Sequence, residues 1–179
     1  ILNVYKNKTL KSEVVTQLLY GDIFKKLNVS KKWIKIINNV DNYIGYIKNK
    51  KFLKTQKNTH KVFTLYANLY SKPNINYIRR RKLCFGSKIK VLKEKKNFYN
   101  FDNFWIQKKN LKKINYKATN IFFNLKKFVN TKYKWGGKSY KGIDCSALVQ
   151  VFFNFNNRFC PRDTKDQINF FKKKVKLNN

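Results

Sequence analysis

The apolar positions of residues 1–55 fall in short runs rather than in a helical stripe. Val14 to Leu19 leads into the turn Gly21-Asp22, and Ile23 to Val29 follows. Trp33 to Ile37 comes next, then Tyr43 to Ile47 after the turn cluster Asn38 to Asn42. β-Branched and aromatic runs separated by Gly, Asn and Asp predict a small antiparallel barrel. Gly45 inside the last strand predicts a bulge or a close backbone approach. Residues 60–115 repeat this grammar: Val62 to Tyr66 reads as a strand and Pro73-Asn74 as a turn. Gly86-Ser87 precedes Lys88 to Leu92 much as Gly21-Asp22 precedes Ile23 to Val29, and Asp102-Asn103 precedes Phe104 to Gln107 as Asp41-Asn42 precedes Tyr43 to Ile47. From about residue 117 the period changes. Ala118, Ile121, Phe122, Leu125, Phe128 and Val129 recur at helical spacing and predict a core-facing helix with Thr119 as its N-cap.

Composition narrows the classes. With 42% apolar residues, 6 Gly and 2 Pro among 179, the chain can bury a core and is neither collagen-like nor low-complexity. No apolar stretch approaches the roughly 20 residues that span a bilayer, and no signal peptide is visible. The chain opens on Ile1 and holds no Met, so a missing start is expected. The net charge of +34 suggests an anionic partner at first sight, but it is built from 37 Lys and only 5 Arg beside 25 Asn and 3 Ala. That mixture reflects A/T-rich coding more than a nucleic-acid site, which leans on Arg; the one Arg cluster is Arg79-Arg80-Arg81. Three cysteines with no close pair and a single histidine, His60, argue against a disulfide framework and a metal site.

The chemistry sits between residues 133 and 167. Tyr133-Lys134-Trp135-Gly136-Gly137 is followed by Gly142-Ile143-Asp144-Cys145-Ser146, then Leu148-Val149-Gln150, then Pro161-Arg162-Asp163-Thr164 and Gln167. The glycines allow a tight turn, after which Ser146 to Phe153 reads as a buried helix with Cys145 at its N-terminus. Backbone N–H groups and the helix dipole there favour the thiolate, the attacking form. Blander readings stand beside this one. Cys145 is a small buried hydrophobe, Asp144 merely caps the helix, Ser146 is an ordinary first-turn residue and Trp135 is structural. Arg162 and Asp163 pair with each other, or Asp163 caps a helix from Thr164 to Gln167.

This order of residues resembles the NlpC family of papain-like cysteine peptidases, over about Ile121 to Gln167. Both N-terminal units resemble bacterial SH3-like domains, and the tandem arrangement resembles γ-D-glutamyl-diamino acid endopeptidases. The resemblance implies an α+β fold: two small SH3-like β-barrels, residues 1–57 and 58–115, then the N-terminal half of a papain-like cysteine peptidase domain, residues 116–179. It implies that Cys145 is the nucleophile and that Tyr133 steadies the oxyanion. It assigns Asp144 and Ser146 to the free amino terminus of the substrate's L-Ala, and Thr164 and Trp135 to substrate binding. An aromatic of the first SH3-like domain closes the pocket, with Trp33, Tyr43 and Tyr46 as candidates.

Two departures stand out. Ala147 replaces the family's usual Gly, a change expected to matter little. More seriously, the family's base is a His downstream of the Cys, and none of the 34 residues after Cys145 is His. His60 lies upstream, between the barrels. The expectation is a fragment cut at both ends and inactive alone, belonging to a cysteine-type endopeptidase that hydrolyses the γ-D-glutamyl-diamino acid bond of peptidoglycan stem peptides. The expected partner is a peptidoglycan-derived peptide, with no metal, no cofactor and no transmembrane segment, and nucleic acid is disfavoured. The alternative is a non-catalytic basic SH3-like module that binds cell-wall polymer or nucleic acid. Cys84 and Cys160 are expected to be inert. The compartment stays open, with the cytoplasm slightly favoured.

Overall fold

The computed structural model describes residues 1–172. Five antiparallel strands form the N-terminal sheet: β1 (Leu2–Tyr5), β2 (Val14–Leu18), β3 (Phe24–Val29), β4 (Trp33–Asn38) and β5 (Ile44–Lys48), in the order β2-β1-β5-β4-β3. Alternating residues turn inward, so Val4, Leu18, Ile34, Ile36 and Ile47 make its core. Gly45 marks a close approach, since a Cβ there would lie 2.5 Å from Val4 Cγ1.

The middle unit holds eight strands: β6 (His60–Val62), β7 (Tyr66–Tyr70), β8 (Ile78–Cys84), β9 (Lys88–Ile89), β10 (Lys93–Lys95), β11 (Phe98–Phe101), β12 (Phe104–Gln107) and β13 (Leu111–Lys113). They pair as β10-β11-β12-β7-β8 and β13-β6-β9. Asp102, at φ +45°, makes the tight turn between β11 and β12. The single strand expected over Val62 to Tyr66 is instead two, because Phe63 and Leu65 turn away to pack on the C-terminal core. The sequence pattern does not predict strand β8. Its residues 78–82 are exposed on both faces, so no alternation betrays it.

The C-terminal unit contains the short hairpin β14 (Lys138–Ser139) and β15 (Gly142–Ile143), then helices α1 (Cys145–Phe155) and α2 (Thr164–Phe171). The helix expected over 118–129 does not form. Residues 120–131 make successive i→i+3 turns, with one turn of 3-10 helix at Leu125–Phe128 and no cap from Thr119. Asparagine side chains compete for the backbone: Asn120 Oδ1 accepts from Phe122 N, and Asn124 Nδ2 donates to Phe63 O at 2.7 Å. Of the proposed stripe, Phe128 is buried and Ile121 packs on the core, while Phe122, Leu125 and Val129 are exposed. Among the described residues no helix is long and apolar enough to cross a membrane.

The units share their interiors. Phe85, from the middle unit, stacks on Phe155 of α1 at 4.7 Å and touches Phe128 and Phe152. Burying each such ring is worth about 2–3 kcal/mol. Lys61 is fully buried, and among the described residues no carboxylate pairs with it; its Nζ donates to Tyr116 O at 2.6 Å and to Phe155 O at 2.5 Å, the latter near the C-terminus of α1, where a cation is favoured. Strand β2 seats the C-terminal unit. Lys138 N donates to Gln17 Oε1 at 2.9 Å, and the backbone of Gly136 lies so close to Val14 O that a Cβ would fall 1.9 Å from it. Gly136 also has φ +69°, a conformation that costs little only for glycine.

Candidate active site

The turn before Cys145 is built in three steps. The segment at Lys132–Lys134 runs parallel to β15, with Ile143 N donating to Lys132 O and Lys134 N to Ile143 O. Gly136 and Gly137 then fold the chain back into the β14–β15 hairpin. Asp144 ends the turn and caps α1, its Oδ1 accepting from Ala147 N at 2.8 Å. Cys145 is the first helical residue and its side chain is exposed. Its Sγ lies 3.8 Å from Oγ1 of Thr164, the first residue of α2. The first residues of the two helices thus meet at the thiol. The other two cysteines are buried, and burial pushes Cys84 and Cys160 up to about 11.

Asp144 is saturated. Its Oδ1 accepts from Ala147 N, Ser146 Oγ (3.2 Å) and Arg162 Nη1 (3.0 Å), and its Oδ2 from Gly136 N (2.9 Å) and Arg162 Nη2 (2.6 Å). Burial alone would raise this carboxyl, yet the Arg162 fork and the helix N–H hold it below the usual range. Arg162, itself buried, also donates to Ser146 Oγ at 2.8 Å and to Thr16 Oγ1 of β2 at 2.8 Å. The fork therefore ties the cysteine turn to the N-terminal sheet. Asp163 neither caps α2 with its side chain nor forms the ion pair with Arg162; its Oδ2 accepts the Tyr43 hydroxyl at 3.2 Å. Burial raises Asp163, and burial together with the Asp163 charge pushes Tyr43 up to about 12.

A cavity of about 450 Å³ opens over Cys145. Tyr133, Trp135, Asp144, Ser146 and Thr164 all line it. Tyr133 and Trp135 stand 65% and 63% exposed at its rim, and Trp135 Nε1 donates to Glu13 Oε1 at 2.5 Å. Of the three aromatic candidates, Tyr43 reaches the cavity. Trp33 is buried edge-on against Tyr5, and Tyr46 pairs across the sheet with Tyr5 and Lys35. Sequence reasoning did not single out Glu13, and it gave Asp163 only a structural part, yet both line the cavity. One signal was available: they are two of only eight acidic residues. His60 sits in β6, tilted against Tyr99 with ring centroids 4.8 Å apart, and does not line the cavity.

Residues 130–179 match the family model described as the NlpC/P60 family, and residues 2–54 match that of the bacterial SH3 domain. NlpC/P60 proteins are generally cysteine peptidases. Among solved structures, an NlpC/P60 family protein from Bacillus cereus ATCC 10987 has a TM-score of 0.74 at 20% identity, over 92% of this chain and 61% of that one. The likeness is one of fold, and the chain spans about three fifths of that protein's length. NlpC2 and NlpC1 from Trichomonas vaginalis align over 94% and 90% of this chain and 66% and 61% of theirs, at 20% and 18% identity, with TM-scores of 0.33 and 0.30. No curated protein matches the chain.

Proposed function

We propose, for a chain that joins a bacterial SH3 domain to an NlpC/P60 segment, that Cys145 is the nucleophile of a cysteine peptidase cutting the γ-D-glutamyl-diamino acid bond of peptidoglycan stem peptides with a free amino end. One observation carries the reading. In a chain of net charge +34, three of the eight acidic residues, Glu13, Asp144 and Asp163, line the cavity over the exposed thiol, against two cations, Lys6 and Arg162. Acid gathered against such a background suits a cationic group. Asp144 already accepts five hydrogen bonds, and Glu13 is held by Lys6 at 3.6 Å and by Trp135, so this reading gives the substrate ammonium to Asp163, with Tyr43 beside it, and leaves Asp144 and Ser146 to hold the turn.

In the reaction, Cys145 Sγ attacks the γ-glutamyl carbonyl carbon. The Tyr133 hydroxyl donates to the developing oxyanion, and Trp135 and Thr164 flank the peptide. The C–N bond breaks, the leaving amine takes up a proton, and water then hydrolyses the thioester. The reading requires a general base, and the single histidine of the sequence, His60, does not line the cavity. The chain would comprise two SH3-like barrels, residues 1–57 and 58–115, ahead of the peptidase portion from 116.

Alkylation of Cys145 tests the reading directly. The dipeptide L-Ala-γ-D-Glu should protect the thiol, and its N-acetyl form should not. Equal protection by both, or by neither, would overturn the assignment. A longer version of the protein should cut L-Ala-γ-D-Glu-L-Lys and lose that activity in Cys145→Ala.

A second reading, a basic module holding an anionic polymer, draws on β8, whose Arg79, Arg80, Arg81 and Lys82 are all exposed on an edge strand. Its affinity would fall steeply with added salt.

A further inference from the structure

A second cavity, of about 370 Å³, lies on the other side of the segment that carries Tyr133 and Trp135. Lys134 stands between those two residues, and in extended backbone successive side chains point to opposite faces. Tyr133 and Trp135 line the Cys145 cavity, whereas Lys134 lines the second one. Lys48, at the end of β5, and Lys141, in the β14–β15 turn, line it with Lys134. Asn3, Tyr5 and Gln17 complete its polar wall, and Ile1 and Leu2 form the rest of it.

Charge and hydrogen bonding agree there. Three lysines from separate parts of the chain line one space, and no acidic residue lines it; the Lys48 ammonium also lies 4.6 Å over the Trp33 ring. Among the described residues, none of the three has a carboxylate within 4.0 Å. Both amide oxygens on the wall are already engaged: Gln17 Oε1 accepts from Lys138 N, and Asn3 Oδ1 accepts from Gln17 Nε2, each at 2.9 Å. That leaves the Asn3 amide N–H groups as further donors beside the three ammonium groups. We infer that this cavity binds a phosphate-bearing small anion. A carboxylate would leave at least two of the three charges unmatched, whereas a phosphate carries about −1.5 to −2 and three strong acceptor oxygens. Lysine serves phosphate well as a point charge.

The test is calorimetric titration of the chain with inorganic phosphate, glycerol 3-phosphate and diethyl phosphate, at fixed ionic strength in chloride. Wild type is compared with K48M/K134M/K141M and with K25M/K26M/K93M, which loses the same charge from exposed strand positions. We expect one saturable site, weakened about tenfold or more in the cavity variant and unchanged in the control. Equal weakening in both variants would show general attraction to a basic protein and overturn the proposal, as would unsaturable binding in wild type. Binding of the monoester alongside phosphate would assign the site to phosphorylated ligands, and its exclusion would assign the site to free phosphate. A preference for the uncharge-matched diester over both would count against the charge argument and overturn the proposal.

Discussion

The two cavities lie on either side of one extended segment, residues 133–135, and differ in the charge they collect. The Cys145 cavity collects three of the chain's eight acidic residues, and the cavity behind it collects three lysines and no acid. Both collections arise by convergence: Lys48 comes from the end of β5, Lys134 from the extended segment and Lys141 from the β14–β15 turn, whereas Glu13 comes from the loop before β2, Asp144 from the cysteine turn and Asp163 from the start of α2. Net charge therefore says little about what a given hollow attracts.

The sharpest way to break this contrast is at the thiol. Alkylation near neutral pH, read by mass spectrometry, should place one fast adduct on Cys145 and none on Cys84 or Cys160, which are buried and pushed up to about 11. Fast labelling of either buried cysteine would remove Cys145's special status. Next in size is Arg162→Met. It leaves the Asp144 carboxylate buried without its partner, and urea unfolding should show a loss of about 3–5 kcal/mol. Adding Asp144→Asn should recover part of it. A loss below about 1 kcal/mol would mean that the fork does not hold the turn.

Asp163 gives a smaller effect. Asp163→Asn should weaken the amino-terminal dipeptide by about 2 kcal/mol, roughly thirtyfold, in the protection assay. Because burial raises this carboxyl, wild-type affinity for the ammonium should fall with acidification from a higher pH than an ordinary aspartate allows. The sign follows from the ionised form being the one that binds a cation, and the asparagine variant should lose that part of the pH dependence. Smallest of all is Lys134→Met, which faces the rear cavity and should change dipeptide protection by less than about twofold. A larger change would mean that the two cavities are not independent.

Much of this was legible in the chain. Turn residues at Gly21-Asp22, Asn38 to Asn42 and Asp102-Asn103 delimit strands as local rules require, and the glycines before Asp144 announce the tight turn that opens α1. The departures have separate causes. A helical stripe at 118–129 was overruled by asparagine side chains bonding to the backbone. The run from Val62 to Tyr66 was broken because Phe63 and Leu65 found a different core. Strand β8 is basic on both faces and carries no alternation to read.

Sequence alone determined which residue is the nucleophile candidate, that a helix begins at it, and that β-rich units precede it, because these depend on neighbours a few positions away. Tertiary structure decided what surrounds the thiol. Tyr43 and Asp163 are 120 positions apart and Glu13 and Trp135 are 122 apart, and each pair meets in the folded chain. They meet because β2 seats the Gly136 turn against Val14 and its Thr16 holds Arg162. No local propensity encodes such a contact; it exists only once the separate apolar faces have packed and the buried charges have found their partners.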